Sequence, residues 1–274
     1  MKFAFPRLLL ISFLLAACSG KAIEHDGGDL TRAEVESLSR GMQQSIEKAY
    51  PLLRHKVVNR YVDNLGQSLV SHNPEMPPLP YEFRVLKSND IGVFSLPGGI
   101  VYLTLGTLRA CEVEGELAGA LAHELAHQQL NHPLLVWRKR VNSSREKKIN
   151  FNFEGSFQGV FLGPDGALTY PEGMEQEADQ LAPIVLYRAK FDPRAYAGYL
   201  EILKKINTLE PQRSAIITLS HPLISKRISW VKEELAKIPP FKDPTLSTQS
   251  FEEIKQMLKT AELKGKQSNG GIGE

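Results

Sequence analysis

His123 and His127 stand four residues apart, with Glu124 beside the first, in the stretch "GALAHELAHQQLNH" from Gly119 to His132. In a helix, residues i and i+4 share a face one turn apart, so both imidazoles can reach one ion. Glu124 is placed to hold a water against that ion. This is the H-E-x-x-H arrangement, in which a metal acidifies the water, the glutamate takes its proton and a carbonyl is attacked. The competing reading is a core helix of Ala, Leu and Gln that carries polar residues by chance. A catalytic zinc also needs a third protein ligand. No H-x-x-G-x-x-H run follows His127. His132, about 140° further round a continuous helix, reads as a helix end that bonds terminal carbonyls rather than as a ligand.

The best third ligand lies in "EQEAD", 175–179. Glu175 and Asp179 fall one turn apart on one face of a second helix. Glu175 is placed to bind zinc, and Asp179 to accept a hydrogen bond from a ligand histidine. Glu177 is about 200° round from Glu175 and is expected to face away. The alternative is that all three are surface charges favoured at a helix start. Cys111 has no base near it in sequence and reads as a small buried hydrophobe.

These residues need elements to position them. Helices are expected over Thr31–Glu47, with a Thr31/Glu34 capping box, and over about Leu53–Val70. Four prolines in "SHNPEMPPLP" close the second. Three short strands, in Tyr81–Ser88, Val93–Leu96 and Ile100–Thr104, are expected to form one small sheet, with Pro97–Gly99 as a turn. A long helix is expected from about Leu105 to Asn131, ended by His132–Pro133. The 134–173 segment reads as a lid, a hairpin or a membrane-surface contact, with its basic run "WRKRVNSSREKK" as a solvated helix face. Three helices follow: one from about Glu172, interrupted at Pro183; one capped by Asp192; and one after "SHPL". The whole is an α+β domain, mostly helical, over 31–238, with 239–274 as a partly disordered tail.

The first twenty residues pair a basic start with an apolar run that ends in "LAAC" at Cys18. This predicts a signal peptide over 1–17, lipid on Cys18 and a tether over 18–30. The lipid would attach the protein to a bacterial envelope membrane, and Ser19 favours the outer one, facing the periplasm. Lys+Arg total 33 and Asp+Glu 31. Without Lys2 and Arg7 the two signs balance at 31 each, so no basic field remains to attract nucleic acid. A length of 274 residues with 42% hydrophobic residues suits a globular domain with a real core.

The sequence resembles the zinc metallopeptidases related to the CAAX prenyl endopeptidases, HtpX and BepA. The likeness runs from Tyr81 to Trp230, through "FSLPGGIVYLTLGTL", "GELAGALAHELAHQQLNH", "EQEAD", "FDPRAYAGYLEIL" and "SHPLISKRI". It implies a zincin-like fold with the sheet packed by the histidine helix, one Zn2+ per subunit held by His123, His127 and Glu175, and Glu124 as general base. It also implies that Asp179 and Arg227 support the site and that His221 lies over it, as an oxyanion helper or in the open zinc position. Substrates would be extended or unfolded envelope proteins, pairing with the edge of strand 99–103, with envelope assembly machinery as a possible partner. The second expectation is a chaperone or assembly factor whose metal site is latent and gated by His221. The sequence departs from the family at Gly92, where an asparagine is usual, and at Glu172, which stands where the family often has arginine and turns a positive charge near the site negative.

Overall fold

A computed structural model describes residues 32–147, 169–213, 221, 224–240 and 242–269. Cys18, the leader and tether, Thr31 and the 148–168 part of the 134–173 segment lie outside the described residues. The elements are α1 (Arg32–Ala49), α2 (Lys56–Ser71), β1 (Glu82–Leu86), β2 (Val93–Leu96), β3 (Ile100–Thr104), α3 (Leu105–Ala110), α4 (Glu114–Gln129) and α5 (His132–Lys147). They continue as α6 (Glu172–Arg188), α7 (Arg194–Leu209), a 3-10 turn (Pro211–Arg213), α8 (Ile224–Leu235) and α9 (Gln249–Asn269).

The fold is mostly helical with one three-stranded mixed sheet, as expected. Its strand order is β1-β3-β2, with β1 parallel and β2 antiparallel to β3. Gly98 and Gly99 turn the β2–β3 hairpin at φ +94 and +95, where a side chain would be strained. Strand alternation divides the core. Phe83, Val85, Val93, Val101 and Leu103 pack with α2 and α4, while Phe94, Leu96, Ile100 and Tyr102 meet Met42 and Ile46 of α1 and Trp137 of α5.

β3 is the central strand, so the 99–103 edge expected to receive a substrate is already filled on both sides. Its run "IVYLT" is buried at every position, as befits a strand covered on both faces.

The expected long helix from Leu105 to Asn131 is broken. α3 ends at Ala110 because the Lys255 ammonium, from α9, takes the carbonyls of Arg109 and Cys111 at 2.6 Å each. α4 restarts after a gap of three residues, with the Glu116 carboxylate accepting the N–H groups of Glu112 at 2.6 Å and Val113 at 3.2 Å. Cys111 lies at this break and is fully buried, as expected. α4 then stops at Gln129, and Asn131, at φ 61, redirects the chain so that His132 opens α5 instead of closing α4. Pro133 sits in that first turn, where its missing N–H costs nothing.

The reading of 239–274 as a tail is corrected over Gln249–Asn269, which is helical. Phe251, Ile254 and Leu258 recur at helical spacing and are buried in the main core. Thr248 caps this helix through Phe251 N–H at 3.3 Å, and its own N–H donates to the buried Glu114 of α4 at 2.8 Å. Asp192 caps α7 as expected, accepting the Arg194 N–H at 2.9 Å. α6 runs unbroken through Pro183.

Candidate metal centre

α4 and α6 pack face to face, and α7 and α8 close the remaining sides. α7 comes close because residue 119 is glycine: a Cβ there would stand 2.8 Å from the Tyr196 Cα. On α4, His123 and His127 present their Nε2 atoms 3.1 Å apart. Across from them the buried Glu175 carboxylate lies 3.6 Å from His123 Nε2 and 3.7 Å from His127 Nε2. His221, just before α8, puts Nε2 3.2 Å from Glu124 Oε1 and 3.8 Å from Glu175 Oε1. His123, His127, Glu175 and His221 each offer a ligand atom, and these four atoms lie within 4.8 Å of one another.

This donor set suits a cation. Both Glu175 oxygens and Glu124 Oε2 are buried without a hydrogen-bond partner. A buried carboxylate left without donors is costly, and an ion among these atoms removes that cost. Burial pushes the Glu175 carboxyl up, but His221 and Arg227 outweigh it and hold the group ionised. Burial and the neighbouring histidines push His127 well down, toward the neutral imidazole that a ligand must be. His123 behaves oppositely. Burial and Arg227 oppose its charge, yet Asp179 and Glu175 raise it to about 9. The carboxylates therefore draw positive charge into the pocket.

Asp179 lies 3.1 Å from His123 Nδ1. Arg227 holds it in a two-pronged grip, Nε to Oδ2 at 2.9 Å and Nη2 to Oδ1 at 2.8 Å. Tyr196 donates its hydroxyl to Asp179 Oδ1 at 2.6 Å and accepts from Arg227 Nη2 at 2.8 Å. All are buried. Against burial, Arg227 and His123 hold the Asp179 carboxyl far below the usual carboxylate range.

Every described residue singled out for the site (His123, Glu124, His127, Glu175, Asp179, His221 and Arg227) thus falls in one buried cluster.

A model of peptidase family M48 matches residues 56–235. The chain belongs to this family. Among similar proteins, the beta-barrel assembly-enhancing protease of Yersinia pestis is 26% identical over 219 residues, 73% of this chain and 43% of that one. A putative beta-barrel assembly-enhancing protease of Vibrio cholerae is 25% identical over 268 residues, 88% of this chain and 54% of that one. The mitochondrial metalloendopeptidase OMA1 of Schizosaccharomyces pombe is 29% identical over 165 residues, 58% of this chain and 48% of that one. The chain spans about half the length of these curated relatives. The family shown is M48; the likeness does not single out a CAAX-type lipoprotein.

His132 was misread in the sequence. His132 does not point away. Because α4 ends at Gln129, extrapolation round a continuous helix fails, and the buried His132 ring puts Nδ1 3.0 Å from His127 Nδ1. Glu177 faces away from the Glu175 side, with its side chain 62% exposed, and its Oε2 lies 3.0 Å from His132 Nε2. The third histidine of the stretch, five residues after His127, paired with the middle acid of "EQEAD", was the available signal. Two aromatics were also missed. Tyr170 stacks on His127 with ring centroids 3.9 Å apart, and Tyr196 stacks on His123 at 5.7 Å. The negative charge of Glu172 is offset, since Lys226 pairs with it.

Proposed function

We propose that this chain is a zinc-dependent endopeptidase that hydrolyses peptide bonds of unfolded or misassembled cell-envelope proteins. The observation that carries the reading is the four-donor cluster, in which both Glu175 oxygens and Glu124 Oε2 are buried and accept no hydrogen bond. His123, His127 and Glu175 would hold one Zn2+. When bound, zinc supplies Lewis acidity, which acidifies a water and polarises a carbonyl. Glu124 takes the proton of the attacking water and returns it to the leaving amine. His221 then has one of two tasks. Its ring stabilises the developing oxyanion, or it holds the position a catalytic zinc leaves open. Asp179 and Arg227 fix the His123 ring.

The names of the relatives, beta-barrel assembly-enhancing protease and metalloendopeptidase, support proteolysis at a membrane assembly process. Among the described residues no helix is long and apolar enough to cross a membrane. Attachment would rest on lipid at Cys18 after removal of 1–17, on the periplasmic face of the outer membrane, with 18–30 as tether.

Replacing Glu124 with Gln is expected to leave zinc content unchanged and abolish casein cleavage. Cleavage at the wild-type rate would overturn the mechanism. A second reading, a chaperone with a latent centre, is favoured by the 3.2 Å approach of His221 to Glu124. It predicts that His221→Ala raises casein cleavage; a fall instead supports the oxyanion role.

A further inference from the structure

Neither a ligand nor the base, His132 and Glu177 still reach the metal centre through His127. The pair could be an ordinary surface contact, since the Glu177 side chain is 62% exposed. Hydrogen-bond accounting says otherwise. A carboxylate only accepts, so the 3.0 Å contact with Glu177 Oε2 puts a proton on His132 Nε2. A neutral His132 then has a bare lone pair on Nδ1. That atom lies 3.0 Å from His127 Nδ1, and two lone pairs at this distance would repel. The proton between them therefore belongs to His127 Nδ1. It follows that His127 Nε2 is the bare nitrogen, aimed at Glu175 and His123. The reverse polarity would place a proton on His127 Nε2 and exclude a ligand bond. A ligand bond from His127 Nε2 requires this polarity, with His132 Nδ1 as the acceptor.

We infer that His132 and Glu177 are positioning residues, a two-step acceptor chain that sets the tautomer and orientation of His127 for metal binding. Tyr170, stacked on the same ring, limits its rotation. The inference rests on the metal-centre reading above.

The test is zinc affinity, by competition with a chromophoric chelator, together with the visible spectrum of the cobalt-substituted protein. Replacing His132 with Ala is expected to weaken zinc binding about ten- to hundredfold and to shift the cobalt bands. Replacing it with Asn, whose Oδ1 can accept the His127 proton, is expected to recover part of the loss. E177A is expected to weaken binding severalfold, while E177Q, which keeps an acceptor oxygen, stays near wild type. Wild-type affinity and an unchanged cobalt spectrum in E177A overturn the chain, whether or not the His132 variants fold. Equal losses in E177Q and E177A overturn the acceptor argument. If the wild-type protein itself binds no zinc, the metal centre fails rather than the chain attached to it.

Discussion

His123 and His127 sit one turn apart on one helix, yet they are held by opposite devices. His123 leans on Asp179, a buried carboxylate gripped by the buried Arg227 and Tyr196. His127 leans on a histidine, and that histidine on a carboxylate largely in water. Both supports come from the same five residues of α6. Asp179 and Glu177 are two positions apart, and a helix turns them to different sides of α4. The difference teaches that metal positioning and fold stability are coupled on one side of the centre and separated on the other. A buried charge cluster is part of the core, so changing it disturbs folding. An exposed carboxylate can orient a ring through one neutral intermediate with little stake in the core.

Arg227 gives the largest expected effect. Replacing it with Met leaves Asp179 as a buried charge with its principal counter-charge removed. Breaking a buried pair this way costs about 3–5 kcal/mol. Urea denaturation of the zinc-free protein should show a loss of that size, and zinc affinity should fall with it. A loss below about 1 kcal/mol would mean that the His123 side is not core-coupled, and the contrast would collapse.

Tyr196 tests the same side more gently. Tyr196→Phe keeps the ring against Gly119 and His123 but deletes the hydroxyl that donates to Asp179 and accepts from Arg227. Hydrogen bonds to charged groups contribute about 1.5–3 kcal/mol. A loss in that range, with a cobalt spectrum shifted less than in the His132 variants, would show a network that stabilises first and orients second.

What was legible in the sequence follows the reach of local rules. The histidine pair and Glu175 with Asp179 each lie one turn apart within an intact helix, so spacing alone put them on shared faces. The three strands and the Pro97–Gly99 turn carry their own alternation and glycines. His132 was lost because angular counting was carried past Gln129, beyond which the helix no longer exists. The break at Cys111–Val113 depends on Lys255, 144 residues from Cys111 in the chain. β3 became central through pairing on both sides, though its unbroken apolar run hinted at it. α9 was hidden by Lys and Glu around Phe251, Ile254 and Leu258, a stripe that helical counting could have found.

Glu177 gives the smallest expected change in stability and the sharpest use of the contrast. Its side chain is 62% exposed and its partner is a histidine, so the contact is screened by water and competes with hydration. E177A should therefore lower the unfolding free energy of the zinc-free protein by no more than about 0.5 kcal/mol. The same variant is expected to lose zinc affinity severalfold. Stability and affinity would then move apart on the His127 side, whereas on the His123 side they fall together. A stability loss above about 2 kcal/mol in E177A would show that Glu177 belongs to the core after all, and that the two histidines are supported alike.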